Sequence, residues 1–101
     1  MSPSRREEAS EVQRKPARSS SVAWQTIDGE TVLLRVKEKE LIGLNEVGRR
    51  IWELSDGSRS IGQIAETLSA EYRVDHEAAR ADALRFIREL QSIHALDWPP
   101  D

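Results

Sequence analysis

The sequence predicts an α+β protein that is winged-helix-like, with a three-stranded antiparallel sheet followed by three helices. Two β-prone segments flank Asp28-Gly29, and a charged corner then leads into a short apolar segment at residues 41–44. From residue 46 to residue 93, apolar residues recur at helical spacing, and capping residues divide this stretch into three parts. The strands therefore precede the helices along the chain.

The first two predicted strands form a hairpin. Residues 22–27 make the first strand, and Asp28-Gly29 favours a two-residue type I′ turn because both turn positions need positive φ. Residues 30–36 alternate as a half-buried strand does, and residues 41–44 form the third strand, after the charged corner. In a sequential meander the third strand lies at an edge, where short length and flanking charges limit unwanted pairing. The second strand presents two faces: Val32, Leu34 and Val36 on one, and Leu33 and Arg35 on the other.

Each predicted helix begins after a residue that can cap it. Asn45 precedes residues 46–54, and Gly57 provides a permissive backbone after this first helix. Ser60 precedes the second helix, which runs to about residue 72, and Gln63 stands at capping-box spacing. Asp75 precedes the third, which runs to about residue 93, and residues 94–98 are expected to dock on the body.

Length and composition predict one domain. We place it at residues 21–98, between a polar tail at residues 1–20 and a short tail at residues 99–101. Residues 1–20 have few apolar side chains, so we expect them to be disordered. They carry five basic and three acidic residues, which gives +2 and leaves −5 for the rest of the net −3. An acidic body is a poor partner for nucleic acid.

Sequence motifs of catalysis and metal binding do not stand out. His76 and His94 are ~27 Å apart by helical rise, too far to share a metal ion. The absence of cysteine excludes disulfides and thiolate ligands, and there is neither a Gly-rich phosphate loop nor a hydrolase motif. We predict no enzyme activity, no metal and no cofactor. Without an apolar run of ~18 residues we expect no membrane span, and a cytoplasmic location.

An ordered set of residues links the third strand to the second helix. It consists of Leu41-Ile42-Gly43-Leu44-Asn45, Val47-Gly48, Ile51-Trp52, Leu54, Asp56-Gly57, Ile61, Ile64, Leu68 and Tyr72. Over about residues 22–96 the chain resembles the PqqD family. The Gly-Leu-Asn and Ile-Trp pieces, with residues 74–77, are most similar to the discrete precursor-binding proteins of lasso-peptide-like clusters. The ending His94-Ala95 departs from the pattern, since many relatives have Gly before the final apolar residues.

The resemblance implies a function in peptide recognition. Family members bind precursor peptides in pyrroloquinoline quinone biosynthesis and in other ribosomal peptide pathways, where the domain is called the RiPP recognition element. The leader peptide is expected to add a strand to the edge of the third strand, against the third helix, for presentation to a modifying enzyme or protease. The candidate peptide-binding residues are Lys39, Glu40, Leu41, Ile42 and Gly43 on the strand and Arg80, Ala83, Leu84 and Ile87 on the helix.

Several alternatives remain open at this point. Gly43 either admits a close peptide backbone or serves the strand itself, as a bulge or an adjustment of its twist. Ala83 and Ile87 are equally well explained as core. A winged-helix DNA reader would use the third helix, but its three arginines are outnumbered by four carboxylates. A structural or oligomerising module without a ligand is the other alternative, and the chain is compatible with a monomer or a homodimer.

Overall fold

The computed structural model of the chain describes residues 9–99. Within this range the structure confirms the predicted α+β class, in which a three-stranded sheet is followed by three helices, and two further short strands pair with each other on either side of this unit in the sequence. The strands are β1 (Ala17–Arg18), β2 (Ala23–Ile27), β3 (Glu30–Arg35), β4 (Glu40–Leu44) and β5 (Leu96–Asp97). The helices are α1 (Glu46–Leu54), α2 (Ile61–Tyr72) and α3 (His76–Ser92).

The main sheet is the predicted antiparallel meander, with strand order β2-β3-β4. Asp28 and Gly29 have φ values of 51° and 81°, as the predicted type I′ turn requires. Ile27 pairs with Glu30 across this turn. Strand β4 lies at one edge of the sheet, as predicted from the order of the strands.

The buried face of β3 is not its more apolar face. Thr31 and Leu33 are buried, whereas Leu34 is exposed and Val36 is 63% exposed. Helix α1 packs against β3 and β4, and the Trp52 ring it carries is fully buried. The other face of the sheet, which we call the outer face, is left without a covering element among the described residues.

Local side-chain caps begin the three helices as the sequence predicts. The Asn45 side chain accepts a hydrogen bond from the Gly48 amide at 2.7 Å, at the start of α1. Ser60 and Gln63 form the complete capping box of α2. The Asp75 side chain accepts from the Ala78 amide at the start of α3. All three caps use partners three residues away, and for this reason the sequence reveals them.

Residues 9–20, which we call the N-terminal arm, pack on the body. This differs from the disorder predicted for residues 1–20, of which residues 1–8 lie outside the described range. The Ile61 amide donates to the Arg14 carbonyl and the Gly62 amide to the Val12 carbonyl, at 2.9 and 2.8 Å. A helix start leaves four amides without helical partners. Here the arm satisfies those of Ile61 and Gly62, the Ser60 hydroxyl accepts from the Gln63 amide, and the Gln63 side chain accepts from the Ser60 amide.

The arm also contacts the far end of α1 and the end of the chain. Strand β1 pairs with β5, and the Gly57 amide donates to the Pro16 carbonyl at 2.9 Å. The Arg18 guanidinium donates to the carbonyls of Trp52 and Glu53 at 2.9 and 2.8 Å. A cation at a helix C-terminus interacts favourably with the helix dipole. Arg18 therefore caps α1 from a distant part of the sequence.

Two further contacts join the arm to the helical layer. Glu11 accepts two hydrogen bonds from the Arg88 guanidinium of α3, at 2.6 and 3.1 Å. The Arg14 guanidinium lies 3.8 Å from the ring centroid of Trp98, a cation–π contact. Residues 94–98 dock on the body as predicted. The arm packs against them, which the sequence did not indicate.

Asp56 stabilises the turn on which the arm docks. Its pKa is lowered to about 2, mainly because the Ser58 hydroxyl and amide donate to the carboxylate, and the Arg59 guanidinium adds to the effect.

A separate ion pair joins α1 to α2. The Arg50 guanidinium donates a bidentate hydrogen bond to the Glu71 carboxylate and lowers its pKa. Exposed pairs of this kind contribute little to stability.

Candidate functional site

The outer edge of β4 has no strand partner among the described residues, and we call it the free edge. In a two-residue hairpin the pair that closes the turn exchanges backbone hydrogen bonds, and bonding then alternates along the strand. The β3 residues that face β4, with their partners, are Thr31 with Leu44, Leu33 with Ile42, and Arg35 with Glu40. It follows that Leu41 and Gly43 direct their N–H and C=O groups towards the free edge.

A cleft of about 460 Å³ lies beside the free edge, between β4 and the C-terminal half of α3. We call it the β4–α3 groove. Its walls combine apolar side chains with a charged and polar rim. The apolar side chains are Ile42, Leu44, Phe86, Leu90 and Ile93, and the rim comprises Asn45, Arg85, Glu89 and Ser92. An open apolar cleft next to unpaired backbone groups suits an extended polypeptide.

The structure places the strand residues of the predicted site at different positions. Ile42 and Gly43 line the groove, and Leu41 lies on the free edge with its side chain 70% exposed on the outer face. Lys39 has a φ of 53° in the turn before β4. Glu40 begins β4 and forms an ion pair with Arg35 at 3.0 Å. Lys39 and Glu40 do not line the groove.

The helix residues of the predicted site do not form the groove wall. Ala83 and Ile87 are fully buried, and Leu84 is 5% exposed, so all three belong to the core. Arg80 is exposed on α3, outside the groove lining. The groove is lined by a different face of α3, which lies next to the core face on the same helix.

Sequence reasoning missed the face of α3 that does line the groove. Phe86, Leu90 and Ile93 follow one another at spacings of four and three residues, which is one helical stripe. This signal is present in the sequence, but it overlaps the core stripe, and both stripes include Leu90. Only the position of β4 relative to α3 distinguishes the two stripes.

Gly43 does not mark a bulge. The pairing register runs without interruption from Thr31 with Leu44 to Arg35 with Glu40, and Val32 pairs with Gly43 within it. A Cβ built on Gly43 would meet no heavy atom within 4 Å. The bulge is therefore wrong, whereas the twist adjustment and the close approach of a peptide backbone both stay predictions.

Two of the three arginines of α3 pair with carboxylates. Arg88 binds Glu11, and Arg85 donates to Asp82 at 3.2 Å. Within residues 9–99, no three His, Asp or Glu side chains lie close enough to hold a metal ion, and no helix is long and apolar enough to cross a membrane. The groove thus offers backbone hydrogen bonds and apolar contact, and nothing supports the DNA-reading alternative.

Solved structures with the same fold include proteins from peptide pathways. TbiB1, solved in complex with the TbiA(beta) leader peptide, is 33% identical, with a TM-score of 0.72, over 84% of this chain and 99% of TbiB1. Lasso peptide synthetase B1, solved with a leader peptide, is 21% identical with the same TM-score and coverage.

A third similar structure comes from a cofactor pathway. The PqqD truncation of Methylobacterium extorquens PqqCD, a stand-alone RiPP recognition element, is 24% identical with a TM-score of 0.67, over 81% of this chain and 87% of its own. No curated protein matches the chain. The family model of Coenzyme PQQ synthesis protein D (PqqD) matches residues 30–96, which is about two thirds of the sequence. The chain therefore belongs to the PqqD family.

Proposed function

We propose that this protein binds the leader region of a ribosomally made precursor peptide and presents it, without catalysis, to a modifying enzyme or protease. The peptide adds a strand to the free edge of β4 and places alternate side chains in the β4–α3 groove. The observation that carries the proposal is the combination of a free edge and an adjacent apolar groove. The 33% identity with TbiB1, which was solved with a leader peptide, supports it.

The energetics indicate which part of the peptide determines affinity. Leu41 and Gly43 offer at most four backbone hydrogen bonds, and at ~0.5–1.5 kcal/mol each these contribute up to ~6 kcal/mol. Micromolar binding needs about 8 kcal/mol net, and association itself costs at least ~4 kcal/mol. The shortfall of ~6 kcal/mol corresponds to burial of about two to four apolar side chains.

Those apolar side chains belong to one face of the bound strand. Because successive residues of a strand point to opposite sides, every second leader residue faces the groove and the others face the outer side. The groove walls at Ile42, Phe86 and Ile93 are apolar. We therefore expect leader sequences with bulky apolar residues at alternate positions over the segment that pairs with β4.

A proline placed on the free edge tests the proposal. The probes are the TbiA(beta) leader peptide and peptides recovered by panning a displayed library of random peptides on the full chain. Leu41→Pro removes an amide donor that faces the free edge, so we expect affinity to fall by at least about tenfold. Fluorescence anisotropy gives the affinity, and thermal unfolding shows whether the variant remains folded.

A matched proline on the opposite edge of the sheet provides the control. Strand β2 is the other edge strand, and by the same alternation the Thr26 amide points away from β3. We expect Thr26→Pro to bind the probes as the parent does. A failure of every probe to bind the parent would contradict the proposal, and so would Leu41→Pro binding as tightly as the parent.

A further inference from the structure

Phe86 occupies space that a side chain at position 48 would need. Its half-buried ring lines the β4–α3 groove and lies over Gly48 of α1. A Cβ built on Gly48 would be 2.7 Å from Cε2 and 2.8 Å from Cζ of this ring. Carbon atoms in contact lie ~3.5–4.0 Å apart, so the ring and a Cβ cannot both take these positions.

The backbone of Gly48 does not itself require glycine. The residue lies inside α1 and is absent from the positions with positive φ. Glycine inside a helix is less favourable than alanine, so a glycine here needs another explanation. Gly62 of α2 gives the contrast, because a Cβ there would lie 3.5 Å from the Val12 carbonyl oxygen, an ordinary contact.

We infer that Gly48 is a positioning residue that seats the Phe86 ring against α1 and so sets the shape of the groove wall. This inference rests on the proposed function and deepens it. The ring defines how large an apolar leader side chain the groove accepts next to Ile42. Gly48 contacts no peptide itself and acts through Phe86.

The inference has a specific consequence for Gly48→Ala. The atoms nearest the new methyl group are at the tip of the Phe86 side chain, which moves more easily than backbone does. The Asn45 Oδ1 atom, which caps α1, would also be only 3.0 Å away. We therefore expect a folded protein in which the Phe86 ring has left its seat and the groove has changed shape.

A double-mutant cycle tests whether Gly48 acts through the ring. The variants are Gly48→Ala, Phe86→Leu and the two combined, since leucine lacks the ring atoms Cε2 and Cζ. The probe is the tightest peptide recovered by panning a displayed library of random peptides on the full chain. We expect Gly48→Ala to weaken binding by about tenfold in the parent and by less than about twofold in the Phe86→Leu background.

Gly62→Ala is the matched control, a Gly-to-Ala change inside another helix where space exists. It should bind the probe as the parent does. Nuclear Overhauser contacts between the Gly48 α-protons and the Phe86 ring should be present in the parent, and in Gly48→Ala the contacts of the new methyl group should show the ring displaced. If the parent binds the probe and Gly48→Ala binds equally well, the inference is overturned and the proposed function stands.

Two other outcomes also decide the matter. If no peptide binds the parent, the proposed function fails and this inference fails with it, whatever the ring contacts show. If Gly48→Ala does not fold, the combined variant is compared with Phe86→Leu. A combined variant that folds supports the inference, because the methyl group is then tolerated once the ring is gone, and a combined variant that also fails to fold overturns it.

Discussion

The N-terminal arm and strand β4 are both short segments, and they differ in whether their backbone groups find partners within the described chain. The arm is mostly polar, yet its amides and carbonyls form hydrogen bonds with the start of α2, with the segment that follows α1 and with Ala95. Strand β4 is mostly apolar, yet the groups of Leu41 and Gly43 face the free edge. Apolar content therefore does not decide which of the two segments is covered.

The difference follows from what lies beside each segment. The start of α2 presents amides without helical partners, and the carbonyls of Val12 and Arg14 are placed to accept from them. No described element brings complementary groups to the free edge, because α3 lies across the groove instead. Order thus depends on the unmet hydrogen bonds of neighbouring elements as well as on hydrophobicity.

The largest expected effect comes from removing the arm. A chain that begins at Ser20 loses at least five backbone hydrogen bonds to the body, those of Val12, Arg14, Pro16, Arg18 and Ser19, together with the pairing of β1 with β5. At ~0.5–1.5 kcal/mol each, and after the entropy regained by the freed chain, we expect a loss on the order of 3 kcal/mol. Thermal unfolding should show a midpoint lower by roughly 10–20 °C.

A chain that begins at Ala9 is the reference for this measurement, since the comparison then isolates residues 9–19. If the two chains unfold at the same temperature, the packed arm contributes nothing to stability. The contrast between the arm and β4 would then be one of position alone.

A smaller effect is expected from Arg18→Met. Methionine keeps the apolar stem but loses the charged donors to the Trp52 and Glu53 carbonyls at the end of α1. Hydrogen bonds from charged groups are worth ~1.5–3 kcal/mol, and partial exposure reduces this, so we expect a loss of about 1–2 kcal/mol in urea unfolding.

Arg14→Met is the control for this cap. Arg14 stacks on Trp98 and its side chain caps no helix, so its replacement should cost only ~0.5–1 kcal/mol. Equal losses for the two variants would mean that the arm acts through its charges in general, with no special role for the cap on α1.

The smallest effect is expected on the free edge. Leu41→Thr changes a side chain that is 70% exposed and keeps the β-propensity of the strand, so urea unfolding should change by less than ~0.5 kcal/mol. Ile42→Thr, on the half-buried inner face of the same strand, should cost about 1–3 kcal/mol. A loss at Leu41 as large as that at Ile42 would show that the outer face is covered in solution.

The fold elements that the sequence predicted well have local causes. The caps at Asn45, Ser60 and Asp75 and the turn at Asp28-Gly29 depend on partners within a few residues. The edge position of β4 followed from the order of the strands, and the PqqD resemblance followed from spacing along the chain. In each case the contacts that matter are encoded in one short stretch.

The candidate site could be predicted only in part. The strand side was predicted at residues 39–43, since a meander exposes its last strand. Of these residues, Ile42 and Gly43 line the groove and Leu41 lies on the free edge, and their part in peptide binding stays a prediction. The helix side was assigned to core positions such as Ala83, because periodicity identifies the stripes of a helix without saying which element each one faces. The same limit applied to β3, where the buried face is the one with Leu33.

His94 lies in a turn whose backbone conformation the sequence did not indicate. The structure gives His94 a φ of 59°, in the left-handed region. Glycine adopts that left-handed conformation without strain, whereas histidine adopts it at some cost. The turn it makes leads into β5, which pairs with β1 of the arm.

The sequence by itself determined the class, the order of the elements, their caps and the family. The tertiary structure alone decided the docking of the arm, the buried face of β3 and the groove face of α3. The reason is the separation of the partners: Arg18 reaches a carbonyl 34 residues away, and Glu11 binds an arginine 77 residues away. Spacing and propensity report on neighbours in the chain, whereas these contacts exist only once packing has brought distant segments together.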